Sequence, residues 1–250
     1  MVERRAAIER REEEKRARGE LYCWNEANYK LLSLAQGEGA PELCFGATDY
    51  YTRLALHELY REASGERERL RYCSNTFGVS LLIETRDQRL IFAPRSQRVG
   101  VYAGYYNISL SEGLSLVDGV DSRGPDLAGC GRRGIFEEYG IAEEQIEELT
   151  CLSLGIDRHY TSWGMLGYAR LKLESGEIAS HRAGAADAWE ASHLDFVPAQ
   201  LETVVDFVRS RGAPWAPSAL TTIYQTLSYK YSEQTVLEVI ERAHRDRTGA

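Results

Sequence analysis

This sequence lacks long apolar runs, paired cysteines, an excess of positive charge and internal repeats. No stretch approaches the length needed to cross a bilayer, and the charged N-terminus does not read as a secretory signal. Its five cysteines, Cys23, Cys44, Cys73, Cys130 and Cys151, are odd in number, widely spaced and form no Cys-x-x-Cys pair. Neither a disulfide framework nor a zinc site is suggested, and a reducing, cytoplasmic location is expected. The formal net charge of −8 argues against a general nucleic-acid binder, while leaving room for a small basic pocket that takes phosphates. No low-complexity tract is present. What is there is a 250-residue chain with 43% apolar residues, enough for one large domain or one with an extension.

The stretch with the most chemistry is 125–141, Pro-Asp-Leu-Ala-Gly-Cys-Gly-Arg-Arg-Gly-Ile-Phe-Glu-Glu-Tyr-Gly-Ile. Pro125 suits the first position of a helix and Gly140 the left-handed stop after its last turn. Leu127, Cys130, Gly131 and Ile135 make one apolar or small face, and Arg133 and Glu137 are spaced to pair along another. Glu137 and Glu138 are adjacent carboxylates at the end of a helix whose dipole disfavours them. A solvated charged face is one explanation and a bound divalent cation is another.

The rest of the chain divides into four expected blocks. Residues 1–20 mix charges of both signs and read as a solvated, frayed helix, its apolar stripe too thin for a core. Residues 21–72 read as a small α/β extension: strands at Asn28–Ala35 and Leu43–Gly46, a helix from Tyr50 to Ala63 capped by Thr48 or Asp49, and a linker at Arg67–Arg71. His57 reads as a packing or surface histidine. Residues 73–200 hold the clearest strand, Phe77–Glu84, then a turn at 85–88 and a return at Leu90–Ala93. Arg95 and Arg98 follow, two guanidiniums suited to clamp a diphosphate or a carboxylate. Tyr102, Tyr105 and Tyr106 come next, suited to stack on a base or sugar or to pack. Glu112, Asp118, Asp121 and Asp126 lie in a glycine-containing loop. Strands are expected at Glu147–Leu154, Trp163–Leu173 and Trp189–Val197, the last carrying Glu190. His159 lies in the polar turn between the first two of these. Residues 201–250 read as a helical cover, with helices at about 198–211, 219–229 and 233–245 and with Ser218 and Ser232 as caps.

The run Arg133 to Ile141 resembles the second half of the Nudix box, R-E-U-x-E-E-x-G-U with U a bulky aliphatic residue. Eight of nine positions agree, counting the two free ones. Gly134 stands where that family has Glu, and Pro125 stands where it has an upstream Glu, while Gly119 falls on the box glycine. The resemblance covers roughly residues 74–200. There is a fainter likeness to members with an N-terminal extension that act on UDP-glucose-type sugar nucleotides. It implies a Nudix-like α/β/α sandwich with a mixed sheet. It also implies a metal-dependent pyrophosphohydrolase cleaving the diphosphate of a nucleoside diphosphate linked to another moiety.

On that reading Glu137 and Glu138 bind Mg²⁺ or Mn²⁺ and Arg133 supports them. Arg95, Arg98, Tyr105 and Tyr106 hold the substrate. One of Glu112, Asp118, Asp121, Asp126 or Glu190 replaces the carboxylate missing at Gly134. The expected partner is a small nucleoside diphosphate derivative, with neither nucleic acid nor membrane, and a homodimer is allowed. A catalytically inactive nucleotide-binding or regulatory module, or a repurposed biosynthetic enzyme, are the alternatives.

Overall fold

A computed structural model describes residues 1–20, 25–37, 39–120 and 124–248, with side chains as far as 245. Asp121 and Cys23 lie outside the described residues. The chain forms two compact units, each built from separated stretches. Unit 1 comprises Met1–Gly78, Gly113–Cys130 and Gly155–Gly164; unit 2 comprises Val79–Glu112, Gly131–Leu154 and Met165–Ala250.

Unit 1 opens with helix α1 (Val2–Ala17), followed by strands β1 (Ala27–Gln36) and β2 (Pro41–Asp49), helix α2 (Tyr50–Glu62) and the short helix α3 (Glu66–Arg69). β1 and β2 pair antiparallel from Ala27↔Asp49 to Gln36↔Pro41, with a bulge between Leu31 and Ser33. Asp49 caps α2, accepting the Thr52 N–H at 2.9 Å. Two expectations are corrected here. The first helix is not a frayed appendage: Ile8 is 1% exposed against Tyr51 and Ala55 of α2. Its flanks are laced by Arg4 to Glu58 and Glu62, and by Arg11 to Glu58. A one-residue knob, too thin to register as a stripe, suffices because ion pairs on both sides hold the helices together. The expected linker at 67–71 is instead α3 and a turn of 3-10 helix. His57 packs, its ring stacked on Tyr160 at 4.7 Å. His159 is exposed.

A second group of elements builds a sheet, several of them with residues in both units. In chain order the elements are β3 (Phe77–Glu84), β4 (Arg89–Phe92), β5 (Leu110–Gly113), α4 (Leu127–Tyr139), β6 (Ile146–Asp157) and β7 (Ser162–Leu171). Then come α5 (Ser175–Arg182), β8 (Asp195–Pro198), α6 (Leu201–Ser210), α7 (Pro217–Tyr231) and α8 (Glu233–Thr248). The strand order is β6-β7-β3-β4-β8, with β5 also paired to β3. β4 is antiparallel to β3 and to β8. The bonds Trp163 N–H to Thr76 C=O and Arg86 N–H to Leu173 C=O advance together along both chains, so β7 runs parallel to β3 and the sheet is mixed.

Alternation along β3 sets the layers. Val79 and Leu81 point toward α4, where Gly131 lets the helix close on them: an added Cβ there would stand 3.0 Å from Leu81 and 3.5 Å from Val79. Leu82 points the other way, into a core with Leu90, Phe92, Ile108, Val197 and the apolar faces of α6, α7 and α8. Helix, sheet and helices make the expected α/β/α sandwich with a mixed sheet.

α4 starts after Asp126, whose C=O accepts the Cys130 N–H at 2.9 Å, so Pro125 stands outside the helix rather than at its first position. It stops at Gly140, with φ +66° and the His181 carbonyl where a Cβ would be. The strand expected at 189–197 is shorter, β8 alone, and residues 188–190 form a 3-10 turn. α5 has no counterpart in the sequence expectations, although Glu174 and Glu177 form a capping box at its start. Among the described residues no helix is long and apolar enough to cross a membrane.

Candidate active site

The site lies within unit 2, at the last two turns of α4. Arg133 reaches two carboxylates with one nitrogen: its Nη1 lies 2.8 Å from Glu137 Oε2 and 3.1 Å from Glu112 Oε1. The first partner follows from i, i+4 spacing on the helix; the second comes from β5. Glu138 is 7% exposed and its carboxylate has no hydrogen-bond or ion-pair partner among the described residues. Burial first, then the nearby charges of Glu190 and Glu112, push its pKa well above the usual range, against the pull of Arg95 and Arg182.

Glu190 is placed by backbone. Its C=O accepts the Ser96 N–H at 2.8 Å, and Asp187, at the start of the same turn, donates its N–H to the Glu137 C=O at 2.8 Å. Arg182 pins this loop from the other side, donating to the carbonyls of Ala188 and Ala191. Arg95 Nη2 stands 3.9 Å from Glu190 Oε2, while its Nε donates to the Val101 C=O at 2.8 Å. Burial raises the Glu190 pKa, opposed by Arg95 and reinforced by Asp187 and Glu137. Glu112 is likewise raised, to about 8, by burial, with Arg133 opposing and Glu190 and Glu137 adding to it. Carboxylates with raised pKa values in one place mark functional-site candidates.

The donor set is four glutamates, hard oxygen ligands of the kind Mg²⁺ and Mn²⁺ take. A buried carboxylate without a partner, facing two others, is what a divalent cation would satisfy, so the residues fit such an ion in chemistry. Among the described residues no group of three or more His, Cys, Asp or Glu is placed to hold a metal ion.

Of the residues expected from sequence, the fold brings together Arg95, Glu112, Arg133, Glu137, Glu138 and Glu190. Arg98 is exposed, its N–H bonded to Ser96 Oγ at 3.0 Å. Tyr105 is half-buried with its ring 5.2 Å from that of Tyr102. Tyr106 is corrected: it is 9% exposed, its ring packs on Trp215 and Phe207, and its hydroxyl donates to Asp195, so it builds core and not a substrate platform. Asp118 is corrected as well. Asp118 is buried and accepts the Ser115 N–H at 2.8 Å in a capping box, and Asp126 precedes the first residue of α4. Both belong to unit 1. Arg182 was not foreseen: no spacing in the sequence ties it to the box.

No family model matches the chain, and no curated protein matches it. Among solved structures it is similar to protein DR0079 from Deinococcus radiodurans, with 11% identity over 59% of this chain and 81% of that one, at a TM-score of 0.43. A NUDIX hydrolase from Nitrosomonas europaea is similar at 12% identity, covering 62% of this chain and 90% of that one, at a TM-score of 0.42. A MutT protein from Methanosarcina mazei is similar at 12% identity, covering 62% and 94%, at a TM-score of 0.38. With every one of these TM-scores below 0.5, the chemistry of the site rests on its own side chains.

Proposed function

We propose that the protein is a divalent-metal-dependent pyrophosphohydrolase that cleaves the diphosphate of a nucleoside diphosphate linked to another moiety, with a sugar nucleotide favoured. The observation that carries this reading is Glu138, a buried carboxylate without a partner among the described residues, set among other acids and faced by arginines. Stability alone would replace such a group with an apolar side chain, because an unpaired buried charge is costly.

On this reading Glu137 and Glu138 hold Mg²⁺ or Mn²⁺. The ion supplies charge neutralisation at the phosphoryl oxygens and a more acidic bound water. Arg133 keeps Glu137 oriented through their 2.8 Å contact. Arg95 and Arg98 offer paired N–H donors to the diphosphate. Tyr105 offers a ring to the base or sugar. The alternative, a nucleotide-binding module without turnover, draws support from the lack of three converging metal ligands among the described residues.

The test is product detection by mass spectrometry. The protein is incubated with pooled sugar nucleotides, dinucleotides and nucleoside triphosphates, with Mg²⁺ or Mn²⁺ and with chelator. Hydrolysis that needs metal and falls at least about 100-fold in Glu138→Gln is expected, since even the outer partners of metal ligands are worth 10–100-fold. Thermal stabilisation by a nucleotide with no turnover, and indifference to chelator, would select the binding module instead.

A further inference from the structure

α4 presents Arg133, Glu137 and Glu138 on its last turns, but between them at 134 it presents no side chain. The gap is occupied. A Cβ built on Gly134 would lie 3.0 Å from Glu112 Cγ, 3.1 Å from Glu112 Cβ and 3.0 Å from Leu110 Cδ1. Those distances are tighter than most real Cβ contacts, so a side chain at 134 would have to displace the stem of Glu112, which lies across the helix surface there.

Two consequences follow from that placement. The Glu112 carboxylate reaches Arg133, the same guanidinium that holds Glu137. It also faces Glu138, whose buried carboxylate finds no partner among the described residues. A solvated ion pair would not need a glycine beneath it, and Arg133 already has Glu137.

We propose that Glu112 is a third metal-binding carboxylate of this site, delivered from β5 across the gap that Gly134 leaves in α4. The inference rests on the metal-dependent reading above. The acid is transposed: a strand supplies the carboxylate that the helix lacks at 134, and Gly134 is the matching half of the arrangement.

The test measures Mn²⁺ affinity directly, by the electron paramagnetic resonance signal of free Mn²⁺ titrated into full-length protein, with fold checked by circular dichroism. Glu112→Gln keeps the shape of the side chain and a hydrogen-bonding oxygen for Arg133, and is expected to weaken Mn²⁺ binding by about 10-fold or more. Gly134→Glu alone is expected to weaken it too, because the new side chain collides with Glu112. The double variant Glu112→Gly/Gly134→Glu, which returns the carboxylate to the helix, is expected to recover affinity to within a few-fold of wild type.

Wild-type affinity in Glu112→Gln, with the wild type itself binding Mn²⁺, overturns the assignment and leaves the hydrolase reading standing. A loss in Glu112→Gln that the double variant does not recover also overturns it, assigning Glu112 to positioning Arg133. Absence of Mn²⁺ binding and of turnover in the wild type sinks both readings.

Discussion

At the scale of the residue, charge burial separates function from stability. Glu138 carries a burial cost that the charges of Arg95 and Arg182 offset only in part. Glu138→Gln is therefore expected to raise the melting temperature of the metal-free protein by ~2–4 °C, about 1 kcal/mol, measured by scanning calorimetry in chelator. An unchanged or lower melting temperature would show that the carboxylate is satisfied in solution. Asp87 is the opposite case. Burial works against its ionisation, but bonds from Ser175 Oγ at 2.7 Å, Thr85 Oγ1 at 2.7 Å and the Ser175 N–H at 2.8 Å prevail and hold its pKa near about 2, against an ordinary 3.8. A folded pKa below the unfolded one contributes stability that is complete above the unfolded value and lost as pH falls toward the folded one. Asp87→Asn should lower stability at pH 7 by about 1 kcal/mol, a modest figure because the side chain is 32% exposed. The gap between variant and wild type in urea midpoint should close between about pH 4 and about pH 2, and a gap that persists there would assign the effect to shape, not charge.

At the scale of the element, the sequence was most legible where the rules are local. Phe77–Glu84 is a strand with the limits its alternation predicts, and Gly140 ends α4 at positive φ. The C-terminal helices fall close to where their apolar spacing places them, and Ser232 Oγ lies 3.4 Å from the Thr235 N–H as a cap should. Ser218 is corrected: α7 begins at Pro217, which suits a first helical position, so Ser218 lies inside the helix and does not cap it. Less legible were α1, whose contact with α2 turns on one residue, and the segment 188–198, where Glu190 sits on a turn that only its backbone partners Ser96 and Asp187 define. Ile8→Ala should cost about 2–4 kcal/mol of local stability, as a core Ile truncation does. Hydrogen exchange is expected to quicken across α1 and α2 while β4 is unchanged. Uniform exchange rates in the variant would mean that α1 contributes nothing to the packing of unit 1.

At the scale of the whole molecule, contacts between residues far apart in sequence decide what local pattern cannot. Glu84, 1% exposed at the end of β3, is bonded by Lys230 of α7 and by the Tyr168 hydroxyl of β7 at 2.9 Å. Lys230→Met should cost about 3 kcal/mol in global unfolding, because it removes the cation and leaves the carboxylate buried. A loss under about 1 kcal/mol in a denaturant titration would mean that Arg170, 3.9 Å away, already balances Glu84. The sequence by itself determined the mixed α/β class, the C-terminal end of α4, the Arg133–Glu137 pair and the candidacy of Glu138, since each depends on residues within a turn or two of one another. Only the tertiary structure brought Glu112 and Glu190 near Glu138, introduced Arg182, spent Asp118 on a local cap, and turned Tyr106 into core. Convergence of side chains from β5, α4 and the 188–190 turn is set by strand pairing and by the bare surface at Gly134. Periodicity reports which face of an element a residue occupies, while the element that meets that face is fixed by packing alone.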